Sequence, residues 1–225
     1  MLRSFGLGKL NTSALAAAVL FGALALTSGS ANGASGGISV NPAPATESGS
    51  SSSSELAPRF GNRTLREGMA GDDVRILKGI VRSQELLSAP LTTDFDTETE
   101  DAVKDFQSDA GIKASGVVNK GTSKSMVRSM RKTEASWYGP GLYGNGVACG
   151  GTLKRNTVGV AHKKLPCGSK VLVGYRGRYL MTTVIDRGPY IAGRSLDLTY
   201  AGAEALDFID SGVANVRWAV VKKAK

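Results

Sequence analysis

Asp186, His162 and Asp197 carry side chains that can hold or move protons, and each lies beside a turn signal. Asp186 closes the apolar run Thr183-Val184-Ile185 and opens Asp186-Arg187-Gly188-Pro189. His162 is the one histidine of the chain and sits in Ala161-His162-Lys163-Lys164-Leu165-Pro166, while Asp197 sits in Ser195-Leu196-Asp197-Leu198-Thr199. A carboxyl group that gives up a proton and later takes one back is sufficient equipment for general acid–base catalysis. Each residue also has a structural reading. Asp186 can cap the Gly188-Pro189 turn, a lone histidine can serve packing, and Asp197 can cap a helix that starts near Tyr200. Spacing alone leaves both readings open. Trp137, Tyr138, Tyr143 and Tyr190 flank these segments, with rings that either stack on a ligand or fill a core. One histidine and two cysteines do not fall into ligand-spaced pairs, so no metal and no cofactor is expected.

Short strands must position these residues. From Ala135 onward, short apolar runs alternate with Gly, Pro and charged turns. Lys170 to Asp186 is alternating and β-branched, predicting two strands around a Gly174–Gly177 hairpin turn. Val213 to Val221 predicts a closing strand, and only Tyr200 to Ile209 has helical character. Short strands with one helix in about ninety residues suggest a small barrel over 134–222. The preceding 58–132 is different. Val74, Ile76, Leu77, Ile80 and Val81 recur at helical spacing behind Asp72, a candidate N-cap. A second helix is signalled by Asp96-Thr97-Glu98-Thr99-Glu100 before Ala102, Val103 and Phe106, and a third near Thr122 to Met130. Three helices with short connections make a small bundle.

The N-terminal residues bear on compartment. Arg3 and Lys9 precede an apolar stretch from Ser13 to Leu26, followed by small residues from Ser28 to Ala34. This pattern reads as a signal peptide over 1–30, with no stable membrane span after cleavage, the alternative being an uncleaved N-terminal anchor. The Ser-, Gly-, Ala- and Pro-rich 31–57 reads as a disordered linker. In an exported chain, Cys149 and Cys167 pair by default as a disulfide. The net charge is +9, and residues 134–225 hold 13 Lys/Arg against 6 Asp/Glu. Such a surface attracts anionic wall polymers, whereas no nucleic-acid recognition motif is present. The protein is expected to be monomeric, secreted, and extracellular or in the cell wall or periplasm.

Two resemblances then name families. The stretches EGMAGDDVRILKGIV, FDTETEDAVKDFQSDAGI and GVVNKGTSKSM resemble the three-helix peptidoglycan-binding domain found beside wall hydrolases. Two departures stand out: Arg82 to Asp94 is a longer, more polar link, and Lys78 stands where Gln is common.

The stretches ASWYGPGLYGNGVACGG, VGVAHKKLPCGSKVLV, VIDRGPYIAGRSLDLT and VRWAVV resemble the double-psi β-barrel of the rare lipoprotein A family, a fold shared with expansins. The chain as a whole is thus expected to be multidomain: an all-α three-helix peptidoglycan-binding domain followed by an all-β six-stranded double-psi β-barrel. The resemblance implies a peptidoglycan lytic transglycosylase that leaves 1,6-anhydro-muramic ends. Asp186 would be the general acid/base, with His162 and Asp197 beside it. Trp137, Tyr138, Tyr143, Arg187 and Tyr190 would bind glycan strands. One departure matters: competent relatives carry a Glu eleven positions before the histidine, and here that position is Gly151. The alternative is a non-catalytic, expansin-like wall-binding or loosening protein.

Overall fold

The computed structural model describes residues 55–222, so the expected signal peptide (1–30) and most of the expected linker (31–57) lie outside the described residues. Three helices come first: α1 (Asp72–Ser83), α2 (Thr97–Asp109) and α3 (Lys120–Ser129). The apolar residues expected to recur along α1 (Val74, Ile76, Leu77, Ile80 and Val81) are all buried. Asp72 is not its cap. Gly71 occupies the N-cap at φ 149°, a backbone conformation that favours glycine, and Asp72 is the first helical residue. The neighbouring Asp73 accepts from the Val74 amide and pairs with Arg63 at 2.7 Å. In α2 the cap is Asp96, which accepts from the Thr99 amide at 2.9 Å; in α3 it is Asn119, which accepts from the Gly121 and Thr122 amides.

Lys78 is fully buried and donates to Thr92 Oγ1 at 2.8 Å and Asp96 Oδ2 at 2.9 Å. It therefore ties α1 to the far end of the long polar link. Partial burial works against the Asp96 carboxylate, but hydrogen bonds from Thr99 and Lys78 hold its pKa down to about 2. Gln107 has a matching role: its side-chain oxygen accepts from the Ser115 and Gly116 amides, and its nitrogen donates to the Val117 carbonyl.

The barrel follows almost without a joint. β1 (Arg131–Tyr138) begins two residues after α3, ahead of the boundary expected at 134. Five further strands, β2 (Val160–Ala161), β3 (Lys170–Tyr175), β4 (Arg178–Asp186), β5 (Arg194–Thr199) and β6 (Ala214–Lys222), close it in the order β1-β5-β2-β4-β3-β6. β1·β5 and β2·β4 are parallel and the other neighbours antiparallel. The β3–β4 turn is the pair Arg176-Gly177, both at positive φ, as a tight hairpin of this hand requires. Gly174 belongs to β3 and not to the turn, because the Tyr179 ring lies against it where a Cβ would fall 2.4 Å from a ring carbon. The expected helix from Tyr200 is shorter than its apolar pattern suggested: α4 (Tyr200–Ala205) gives way to a 3-10 turn at Ile209–Ser211.

Bundle and barrel share one apolar core. Leu172, Tyr179, Ala219 and Val221 from β3, β4 and β6 cluster with Leu77, Ile80 and Val81 of α1. Gly79 admits this approach, since a Cβ there would come within 2.9 Å of the Met181 methyl. Ahead of the bundle, residues 57–60 strap the barrel: the Ala57 amide donates to the Ala205 carbonyl and the Tyr179 amide to the Pro58 carbonyl. Ala57 is buried there, at the edge of the stretch expected to be linker.

Candidate active site

The barrel places Asp186 and Asp197 on one face by two different devices. In β5, Leu196 and Leu198 are fully buried in the barrel core, so alternation turns Asp197 to the other face. In β4, Val184 also points into the core, and simple alternation would send Asp186 inward as well. A bulge prevents this. Val160 pairs with Val184 but Ala161 pairs with Asp186, so Ile185 is the extra residue and Asp186 is re-aimed outward. Ala161 faces both acids, Asp186 across β4 and Asp197 across β5. Two strand spacings, about 10 Å, thus separate the two backbones.

Each carboxylate is held. Asp186 Oδ1 accepts from the Ala148 amide at 2.9 Å and from the Arg187 amide at 2.8 Å. Ser136, paired with Asp197 across β1·β5, donates its hydroxyl to Asp197 Oδ1. The buried hydroxyl of Tyr138 feels both carboxylates. Burial raises its pKa well above the usual phenol range, and the Asp186 and Asp197 carboxylates add to the effect, so it stays protonated at any physiological pH. Asp197 does not cap α4; Thr199 does, accepting from the Gly202 amide.

His162 joins this site through its backbone. Its amide donates to the Asp186 carbonyl at 3.1 Å, while its ring turns toward Trp218, 5.4 Å away between centroids. The Lys164 and Leu165 amides both donate to Nδ1, which places the proton of the neutral ring on Nε2. Burial lowers the His162 pKa, and Arg187, Arg131 and Lys163 lower it further. A folded state that resists protonation binds fewer protons than the unfolded chain, whose histidine titrates near 6.5. His162 therefore contributes its full stability above about pH 6.5 and loses it as pH falls below that value. The lowered carboxylates (Asp73, Asp96 and Glu100) act only in more acidic solution, below their unfolded range of about 4. Between pH 7 and 5 the melting temperature of His162→Asn should accordingly change less with pH than that of the parent protein. Equal slopes in a pH series of calorimetric scans would remove the imidazole from this account.

The other expected site residues divide. Arg187 is occupied within the fold: Nη1 donates to the His162 carbonyl at 3.3 Å and Nη2 to Cys167 Sγ at 3.0 Å. Trp137 donates Nε1 to the Ile209 carbonyl and stands edge-on to Tyr200. Tyr143 and Tyr190 are exposed, with Leu142 and Ile191 beside them. Cys149 and Cys167 form a disulfide. Near it the Cys149 amide donates to the Ile185 carbonyl, so the Gly-rich loop is docked on the end of β4. Gly151 lies on that loop, exposed at φ +88° with nothing within 4 Å of a Cβ position. Ser136 and the Ala148 amide were not foreseen. The alternation Ala135-Ser136-Trp137-Tyr138 signals Ser136, because it puts Ser136 and Tyr138 on one face.

Six strands closed in this order, with two parallel pairs and acids presented at a bulge, define a double-psi β-barrel carrying a polar site. Residues 131–218 match the family described as "Lytic transglycolase", and residues 70–126 match "Putative peptidoglycan binding domain". The chain carries both domains. It is 35% identical over 107 residues to a protein of Synechocystis sp. named "Probable endolytic peptidoglycan transglycosylase RlpA", covering 47% of this chain and 33% of that one. A Campylobacter jejuni protein named "Endolytic peptidoglycan transglycosylase RlpA" is 40% identical over 89 residues, covering 39% and 32%. One from Aquifex aeolicus, again named a probable RlpA, is 42% identical over 81 residues, covering 35% and 36%. The chain thus spans about a third of the length of these curated relatives.

Proposed function

We propose that the protein is an exported peptidoglycan lytic transglycosylase in which Asp186 is the general acid/base. The observation that carries this reading is the bulge that turns Asp186 onto the face of Asp197, Ser136 and Tyr138. In the reaction, Asp186 delivers a proton to the departing glycosidic oxygen as the bond to the anomeric carbon breaks. The muramic 6-hydroxyl then bonds to that carbon and returns its proton to Asp186. Protons balance, no water is consumed, and one carboxyl group suffices. Asp197, fixed by Ser136, supplies negative charge opposite the oxocarbenium-like centre. Tyr138 stays protonated and offers a donor. The three-helix domain holds the same polymer, and the basic surface suits anionic wall polymers.

A second reading, a non-catalytic expansin-like wall-binding or loosening protein, is favoured by Gly151. At its positive φ a Glu side chain would be strained, so the loop is not a relative's loop lacking only a side chain. The two readings are separated by incubating the mature protein with isolated sacculi and analysing the soluble fraction by mass spectrometry. Anhydro-muropeptides are expected. Protein that sediments with the sacculi and releases none at any concentration supports the second reading.

A further inference from the structure

A cavity of about 750 Å³ opens where the end of α1 meets the barrel, and its lining includes none of Asp186, Asp197, Tyr138 or Ser136. Arg82, Arg131, Lys164 and Lys222 surround it, against a single acid, Glu85. Leu165 and Val221 give it an apolar wall, and His162 is part of its lining. Among the described residues, Arg82 Nη2 is buried without an acceptor, and its Nε makes only a 3.4 Å bond to the Leu87 carbonyl. A buried guanidinium N–H left unpaired is costly, and swinging the Arg82 side chain into the cavity would give it a ligand oxyanion as acceptor. Arg131, which lines the cavity, is held over the Trp218 ring at 5.2 Å. Ser83, Arg131 and Val220 also line a separate, smaller cavity of about 250 Å³ beside Met130 and Trp218.

We infer that this seam is a second binding site, for a short peptide bearing free carboxylates. Guanidinium forks match carboxylates in geometry as well as charge. The mixed apolar and cationic lining suits a peptide, whose carboxylates alternate with methyls and methylenes. The volume lies in the range of sites for compact ligands rather than that of an open polymer track. The stem peptides of the wall are the carboxylate-rich peptides at hand; that choice of source rests on the wall reading above, whereas the cleft does not. Because bundle and barrel share a core, a peptide bound here is held at a fixed place relative to the barrel that carries Asp186.

The lone histidine supplies the probe. The full mature chain is titrated with a synthetic, sugar-free stem tetrapeptide while the His162 ring resonances are followed by NMR. A saturable shift is expected, with the ring titrating at higher pH once an anion lies beside it. Lys164 and Lys222 are exposed, so Lys164→Glu/Lys222→Glu should fold normally and bind the peptide at least about tenfold more weakly. Asp186→Asn should bind it as the parent does, which separates this site from the chemistry proposed above. No shift at millimolar peptide, or equal affinity in the double variant, would overturn the inference. Tighter binding of a glycerol-phosphate oligomer than of the peptide would also overturn it and assign the seam to phosphate-bearing polymers.

Discussion

Asp186→Asn is expected to lower the release of anhydro-muropeptides from sacculi by at least about a hundredfold, the usual scale for loss of a general acid/base. The substitution isolates the proton. Asn keeps a side-chain oxygen that can accept from the Ala148 and Arg187 amides, so the docked loop and the turn at Gly188 should persist. What is lost is a group that can be protonated and deprotonated in turn. Asp197→Asn keeps an acceptor for the Ser136 hydroxyl but removes a negative charge, and its effect should be smaller and confined to the chemical step. Circular dichroism and sacculus pull-down serve as controls, both unchanged in Asp186→Asn. Comparable product yields from Asp186→Asn and the parent would show that this carboxyl does not transfer the proton.

The readability of this chain varied with the range of the interactions involved. Helix periodicity in Val74 to Val81 and the alternation of β3 and β4 were legible because burial repeats at the period of each element. The cap of α1 was not. Asp72 had the right chemistry for a cap, yet Gly71 takes the position because its backbone reaches φ 149° while the Asp73 carboxylate is drawn to Arg63. The departure at Lys78 and the long link after Arg82 are two parts of one feature, joined when Lys78 reaches Thr92 and Asp96. No local pattern could show that. In the site, Asp186 and Asp197 were legible as chemistry, but the bulge at Ile185 that makes them neighbours depends on register between strands far apart in sequence. The same limit applies to Arg187 and His162. The resemblance implied a glycan contact for Arg187 and a place beside Asp186 for His162, and no local pattern showed that the guanidinium also donates to the His162 carbonyl and Cys167 or that the imidazole lies by Trp218.

Removing the disulfide as Cys149→Ser/Cys167→Ser is expected to cost about 3 kcal/mol, the chain-entropy value for a loop closed over 18 residues. For an ordered region of this size that is a fall in melting temperature of roughly 10 °C. Activity should fall beyond what unfolding explains, because the bridge secures the loop that supplies the Ala148 amide to Asp186 and the Cys149 amide to the Ile185 carbonyl. Cys167 Sγ also accepts from Arg187, whose own amide is the other donor to Asp186, so both supports of the carboxylate pass through this bridge. The loop is rich in glycine and largely exposed, and apart from the bridge it is held mainly by backbone hydrogen bonds. At a temperature where the variant remains folded, the rate constant for product release should drop while sedimentation with sacculi, which the proposed function assigns to the helical domain, is kept. Calorimetry of the parent with and without reductant gives the stability term independently of the substitution. A shift of less than about 2 °C, together with parental activity, would mean that the loop is held on β4 by its backbone hydrogen bonds alone.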